Sequence, residues 1–132
     1  MKNNEKKSIL DYFRASLMIL SVLVTTPIFG SLTLILFPFV YPFDRQRHSL
    51  HYICGVNWAK TIILLNPWWK FKIVGKHNLA KNGHAAVYVS NHQSQGDILA
   101  LFLLETRFRW LSKASVFKVP FLGWGMSAVG YV

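Results

Sequence analysis

The sequence predicts an α/β fold, incomplete within these 132 residues, that follows a membrane-embedded N-terminal helical hairpin or span. Two observations support this prediction. Residues 15–43 contain no charged side chain, and nothing later in the chain resembles this run. Further on, the sequence passes from a short apolar stretch to a polar loop and then to apolar residues at helical offsets. This is the order of strand, loop and helix in α/β domains. We therefore divide the chain into a membrane segment, residues 1–43, and a second domain, residues 44–132.

Residues 15–43 are long enough to cross a membrane, because a spanning helix needs about 20 apolar residues. Pro27 and Gly30 interrupt the run, so it forms either one kinked span or two shorter helices that enter and leave one leaflet. We favour the hairpin because basic residues flank both ends, and we disfavour a cleaved signal peptide because the run is too long for one. The flanking residues are Lys2, Lys6, Lys7, Arg14, Arg45 and Arg47.

The second domain begins with an amphipathic helix over residues 44–66, since apolar residues recur near helical spacing until Asn66 and Pro67 end the pattern. Alternation of lysine with apolar residues predicts a strand over residues 68–75, and a turn-rich segment leads to a second strand over residues 85–90. A third short strand is predicted over residues 109–112. We interpret the final residues, SAVGYV, as a strand cut before its sheet is complete.

The polar loop after the second strand contains the candidate catalytic residues. His92 and Asp97 stand five residues apart, between the end of a strand and the start of a helix that Ser94 can cap. From the first helical turn the Asp97 carboxylate can reach back to His92, and an imidazole held by a carboxylate can act as a general base. This spacing alone does not establish a catalytic pair, because a solvated histidine and a helix-capping aspartate would produce the same sequence pattern.

Residues 68–132 resemble the lysophosphatidic acid acyltransferases, also called 1-acylglycerol-3-phosphate acyltransferases. The family's first motif, NHxSxxD after an apolar strand, stands here at residues 91–97. Its G-x-x-N-L motif matches Gly75, Asn78 and Leu79. Its second block matches Lys113 followed by residues 120–123. Ser115 departs from the pattern, because the second block often has an acidic residue at this position.

The resemblance implies a glycerolipid acyltransferase-like fold and transfer of a fatty acyl group to the free hydroxyl of a lysophospholipid. The donor would be a thioester, acyl-CoA or acyl carrier protein, with no metal and no other cofactor. His92 would deprotonate the hydroxyl, Asp97 would orient His92, and Lys113 is a weak candidate for substrate binding. We expect a membrane location, at the cytoplasmic face of a bacterial inner membrane, and no nucleic-acid partner.

Members of the family are longer than this chain. They continue into an arginine that contacts the substrate phosphate and into a Glu-Gly-Thr-Arg type motif, neither of which is present here. We therefore expect these 132 residues to be a fragment or a truncated gene product and to show little acyl transfer alone.

Other functions are each suggested by a single feature of the sequence. His48, His51 and Cys54 are spaced like metal ligands on a helix but lack a fourth ligand. A basic, aromatic-rich chain could bind single-stranded nucleic acid, but the apolar N-terminus disfavours this. A non-catalytic membrane-binding module remains the alternative, because a basic face could attract anionic lipids. That face comprises Lys70, Lys72, Lys76 and Lys81.

Overall fold

A computed structural model describes residues 8–80 and 84–132. All regular elements in these ranges are helices. They are α1 (Ile9–Val40), α2 (His48–Leu50), a π-helical turn (His51–Val56), α3 (Asn57–Leu65), a 3-10 turn (Lys76–Asn78), α4 (Gln95–Phe102), a second 3-10 turn (Val116–Lys118) and α5 (Leu122–Val129).

The apolar N-terminal run forms one continuous helix. Ser8 caps α1, and the helix passes through Pro27 and Pro38 before it ends at Val40. At 1.5 Å per residue its 32 residues extend about 48 Å. The hairpin that we favoured required a turn near Pro27 and Gly30, so that interpretation is wrong. A proline removes one backbone hydrogen bond and bends a helix, but the continuous helix here shows that it need not end one.

The amphipathic helix predicted over residues 44–66 is confirmed as the nearly continuous segment from α2 to α3. It runs antiparallel to α1, because the Trp58 indole N–H donates to Thr26 Oγ1 (3.2 Å) while Asn66 Nδ2 donates to Ser21 Oγ (3.0 Å). Asn66 is fully buried and ends the helix. Apolar side chains of this segment form a core with α4 and the end of the chain. Its buried members are Leu50, Val56, Ala59, Ile62, Leu99, Phe102, Val129 and Tyr131.

Helix α5 approaches α1 closely at two glycines. A Cβ atom on Gly30 would lie 2.5 Å from the carbonyl oxygen of Phe121, and a Cβ atom on Gly125 would lie 3.4 Å from the Cα of Gly30. The small residues therefore let the backbone of α1 contact the start of α5 directly. Phe121 itself has a φ of +62°, an uncommon conformation for a residue with a side chain.

The predicted α/β class is wrong, since the described residues contain no strand. The segments at 68–75, 85–90 and 109–112 carry no regular secondary structure except isolated bends and turns. Alternating hydrophobicity sets which way side chains point, but a strand also needs a neighbour for its backbone groups. Val87 and Val89 are accordingly 89% and 91% exposed.

The end of the chain also differs from our interpretation. Residues 122–129 form helix α5, and Gly130 ends it with a φ of +89°. Only the last residue makes strand-like bonds: the Val132 N–H donates to the Trp110 carbonyl (2.9 Å), and the Ser112 N–H donates to the Val132 carbonyl (2.6 Å). Ser127, Ala128 and Val129 therefore form the last turn of α5 rather than part of a strand.

Candidate active site

The loop before α4 brings His92 and Asp97 together. Ser94 is the N-cap residue of α4, as the sequence predicts, and its N–H donates to Asp97 Oδ2 (2.8 Å). The Gln93 N–H donates to the same oxygen (2.7 Å). These two bonds fix the carboxylate at the start of the helix, where the helix dipole also favours a negative charge.

His92 lies beside this fixed carboxylate. Its Nδ1 atom is 3.5 Å from Asp97 Oδ2, at ion-pair range but longer than an ordinary hydrogen bond. Hydrogen bonds from the Ser94 and Gln93 N–H groups lower the pKa of Asp97, so the group stays ionised at neutral pH. A charged acceptor is thereby held next to one ring nitrogen, while the side chain of His92 remains 55% exposed.

His92 contributes to the lining of an apolar cavity of about 690 Å³. One wall is α1, which contributes Met18, Ile19, Val22 and Leu23 at the level of the catalytic loop. The α4 and α5 helices supply much of the rest, with Phe121 at the start of α5 also on the lining. Since Ile19 and Leu23 are also 60% and 65% exposed, the cavity adjoins the outer surface of α1.

Sequence reasoning did not predict this cavity. Its walls come from segments far apart in sequence, including Trp58 of α3, Trp110 and Tyr131. The one available signal was the presence of small residues, Gly30 and Thr33, inside an otherwise bulky apolar run. Such residues allow another helix to approach, and both now line the cavity beside α5.

Lys113 lies outside this arrangement. It is exposed and does not line the cavity, although its neighbour Ser112 does. Gly75 of the G-x-x-N-L match has a φ of +77° and starts the 3-10 turn, which explains why glycine suits this position. Of the four lysines in the proposed basic face, Lys70 and Lys72 are exposed, Lys76 pairs with Glu105 (3.9 Å), and Lys81 lies outside the described residues.

Of the residues considered as metal ligands, His51 has another partner. His51 is 3% exposed, and its Nδ1 atom lies 2.7 Å from the Tyr131 hydroxyl oxygen. Burial lowers the pKa of His51 to about 4 and raises that of the Cys54 thiol. The described ranges hold no group of three or more His, Cys, Asp and Glu that could bind a metal ion.

Comparison with known proteins places these observations in a family. The family model described as Acyltransferase matches residues 70–132. The chain is similar to the chloroplastic 1-acyl-sn-glycerol-3-phosphate acyltransferase of Arabidopsis thaliana, with 42% identity over 72% of the chain and 26% of the relative. The Brassica napus relative, also named chloroplastic, shows 41% identity over 72% of the chain and 27% of the relative. A 1-acyl-sn-glycerol-3-phosphate acyltransferase of Chlamydomonas reinhardtii shows 36% identity over 85% of the chain and 33% of the relative.

The chain thus spans between a quarter and a third of the length of these relatives. No solved structure matches it. The expected location at a bacterial inner membrane is wrong, because these relatives come from Arabidopsis, Brassica and Chlamydomonas and two are named chloroplastic. Basic flanks and an apolar run indicate an anionic membrane surface but do not distinguish one such membrane from another. The chain belongs to the acyltransferase family that includes the 1-acyl-sn-glycerol-3-phosphate acyltransferases.

Proposed function

We propose that the protein containing this chain transfers a fatty acyl group from an acyl thioester to the free hydroxyl of 1-acylglycerol-3-phosphate, in phospholipid biosynthesis. The acyl donor is acyl-CoA or acyl carrier protein. The names of the matched relatives describe acyl transfer to 1-acyl-sn-glycerol-3-phosphate, and the thioester donor is part of this proposal. The residues 44–132 are the N-terminal part of the acyltransferase domain, and His92 and Asp97 are its catalytic pair.

The observation that carries this proposal is the position of His92 on the lining of an apolar cavity. Its volume, about 690 Å³, lies within the range of small-molecule sites. Apolar walls suit a fatty acyl chain, and a histidine on the lining suits proton transfer to or from a polar group attached to that chain. The general base would then lie next to the site that holds the fatty acyl chain.

The chemistry needs little beyond a positioned base. The neutral His92 imidazole takes the proton of the lysophospholipid hydroxyl as its oxygen attacks the thioester carbonyl. The carbon–sulfur bond then breaks, and the departing thiolate takes the proton back from the imidazolium. Asp97 stabilises the imidazolium between these two steps. Because a thioester is already activated towards attack by oxygen, we propose that no metal or further cofactor takes part.

Helix α1 supports a membrane location for this reaction. It is the one helix in the described residues that is long and apolar enough to cross a membrane. Its buried positions are small or polar, namely Ser21, Thr25, Gly30 and Thr33, while bulky apolar side chains such as Ile9, Leu23, Ile35 and Phe39 are exposed. This arrangement is the reverse of a soluble protein and is typical of a helix that faces lipid. We therefore propose that residues 1–43 embed the protein in the membrane.

The direct test uses the full-length protein in detergent, with labelled acyl-CoA or acyl carrier protein and 1-acylglycerol-3-phosphate. The His92→Ala variant should lose at least two orders of magnitude in turnover. His77→Ala is the matched control, because His77 is an exposed histidine in the 3-10 turn, and it should retain activity. Membrane binding without transfer in the unmodified protein would instead support the non-catalytic alternative.

A further inference from the structure

Two arginines lie in the loop that follows α1, and two more lie in the segment that follows α4. We call Arg45, Arg47, Arg107 and Arg109 the arginine cluster. The Arg109 guanidinium donates to the Gln46 carbonyl (3.3 Å), which ties the segment after α4 to this loop. Arg107 and Arg109 also act on His48. Burial and then the Arg107 charge lower the pKa of His48, Asp44 raises it, and Arg109 lowers it further. Arg107 and Arg109 therefore lie close to the loop that contains Arg45 and Arg47.

Arg47 is the structural centre of the region. Its guanidinium carbon lies 5.5 Å from the ring centre of Phe37 and 5.3 Å from that of Tyr41. It also donates to the Ser127 carbonyl (3.1 Å). Arg47 thereby joins the end of α1 to the end of α5, while Arg45, Arg107 and Arg109 remain exposed.

No carboxylate of the described ranges lies within 4 Å of any of the four guanidinium groups. Asp44 is the acidic residue adjacent in sequence, but its Oδ2 atom accepts the Ser49 N–H (2.7 Å) at the start of α2. The four guanidinium charges exceed the one negative charge of Asp44, which also acts on His48, so this arrangement favours binding of an external anion.

Exposed aromatic side chains lie next to the cluster. Phe39 is 70% exposed and Phe43 is 92% exposed, at the point where the uncharged face of α1 ends. Tyr41, which stacks near Arg47, is 40% exposed. An apolar helix face that passes into aromatic residues and then into arginines follows the polarity profile from hydrocarbon to headgroup. A free phosphate ion or a nucleic acid would account for the arginines but not for this gradient.

The cluster is distant from the candidate active site. The catalytic loop lies level with Ser21, because Gly96 adjoins Trp69 and the neighbouring Asn66 bonds to Ser21. Arg47 lies level with Phe37. The offset of sixteen residues between these positions corresponds to about 24 Å along α1.

We propose that the arginine cluster, together with Phe39, Tyr41 and Phe43, is a docking surface for anionic phospholipid headgroups in a bilayer, separate from the catalytic pair. The arginines bind headgroup phosphates, and the aromatic side chains enter the interface beside them. This surface fixes the depth and the rotation of α1 relative to the membrane.

The test measures how the full 132-residue chain partitions between two kinds of vesicle, phosphatidylcholine alone and an equal mixture of phosphatidylcholine and phosphatidylglycerol. Arg45→Gln with Arg107→Gln is the principal variant, because neither side chain makes a hydrogen bond in the described residues. The preference for anionic vesicles should fall about fivefold for each arginine removed. Lys70→Gln with Lys72→Gln removes the same charge elsewhere and should change the preference less than twofold.

A second variant tests the aromatic part independently. Phe43→Ser should weaken binding to both kinds of vesicle by the same factor, because it removes apolar contact and no charge. Equal losses in the arginine and lysine variants would show that net charge alone attracts the chain, and this would overturn the proposal. So would release of the chain from anionic vesicles by millimolar inorganic phosphate, or tighter binding to a single-stranded oligonucleotide than to the vesicles. Circular dichroism of each variant excludes loss of fold as the cause.

Discussion

The Nδ1 atom of His92 lies 3.5 Å from Oδ2 of Asp97, the same oxygen that accepts the N–H groups of Gln93 and Ser94. The capping bonds of α4 therefore determine where the carboxylate stands relative to the imidazole. Asp97 Oδ2 therefore belongs both to the cap of α4 and to the proposed catalytic pair.

Since Asp97 acts only through His92 in the proposed mechanism, their losses should not add. Asp97→Asn alone should lower turnover by at least tenfold, His92→Ala by more, and the double variant should resemble His92→Ala. Steady-state acyl transfer by the full-length protein measures all three. Multiplicative losses would contradict the idea that the two side chains work as one unit.

The cap predicts a separate structural effect. Asp97→Asn weakens the acceptor for two backbone N–H groups, so α4 should also lose stability. Ser94→Ala changes the cap residue and leaves His92 and Asp97 in place. If Asp97→Asn acted only by loosening the cap, Ser94→Ala would lower turnover equally. We expect the Ser94 variant to retain much more activity.

The contact between α1 and α5 predicts an asymmetric effect of two alanine substitutions. Gly30→Ala places a Cβ atom 2.5 Å from the backbone of Phe121, which must move. Gly125→Ala places its Cβ atom at an ordinary 3.4 Å from Gly30. Both changes gain the same helix propensity, so we expect Gly30→Ala to be less stable than Gly125→Ala by about 1–3 kcal/mol. Thermal unfolding in detergent compares them directly, and equal midpoints would show that the two helices do not touch as described.

His51 predicts a pH dependence of stability. Its pKa is about 4 in the fold and 6.5 as a free side chain, because burial disfavours the charged form. Between these values the unfolded chain binds the extra proton and the folded chain does not, so stability rises with pH. The contribution of His51 is complete above about pH 6.5 and falls by about 3 kcal/mol on acidification to pH 4.

Unfolding midpoints at pH 7.5 and pH 5 measure this effect. The unmodified chain should be less stable at the lower pH, and His51→Gln should show a smaller difference between the two. An unchanged pH dependence in His51→Gln would mean that the buried imidazole is not the group responsible. The bond with the Tyr131 hydroxyl, whose pKa burial raises, holds the neutral ring in place.

Local patterns predicted two local features of this chain correctly. The helix that ends at Asn66 was visible because its apolar spacing and the following proline are signals within one segment. The same holds for the Ser94 cap with Asp97 in the first turn. Neither feature depends on what the rest of the chain does.

Features that depend on distant partners were not predicted. The strands at 85–90 and 109–112 have the right composition, but composition does not supply the neighbour that a ladder requires. The expected break at Pro27 is a different case, because there distant contacts overrode a signal within one segment. Thr25 and Gly30 lie on either side of this proline and both are buried against the rest of the protein, so packing holds the two halves of α1 in one helix. The cavity beside His92 arises from the same packing and has no signature in any single segment.

The exposed face of α1 gives the last prediction, which concerns membrane attachment. Leu23 and Ile28 are 65% and 57% exposed on this face, although both are large and apolar. If the face contacts lipid, the chain should remain on membranes through washes with high salt and with carbonate, because apolar insertion is not screened by ions. Leu23→Lys with Ile28→Lys should release much of it, since each lysine costs up to about 3 kcal/mol in the hydrocarbon region. His77→Lys with His84→Lys adds the same charge at exposed sites away from α1 and should leave attachment intact. Release of the unmodified chain by salt alone would mean that the arginines and lysines hold it by charge, and that the apolar face of α1 is not inserted.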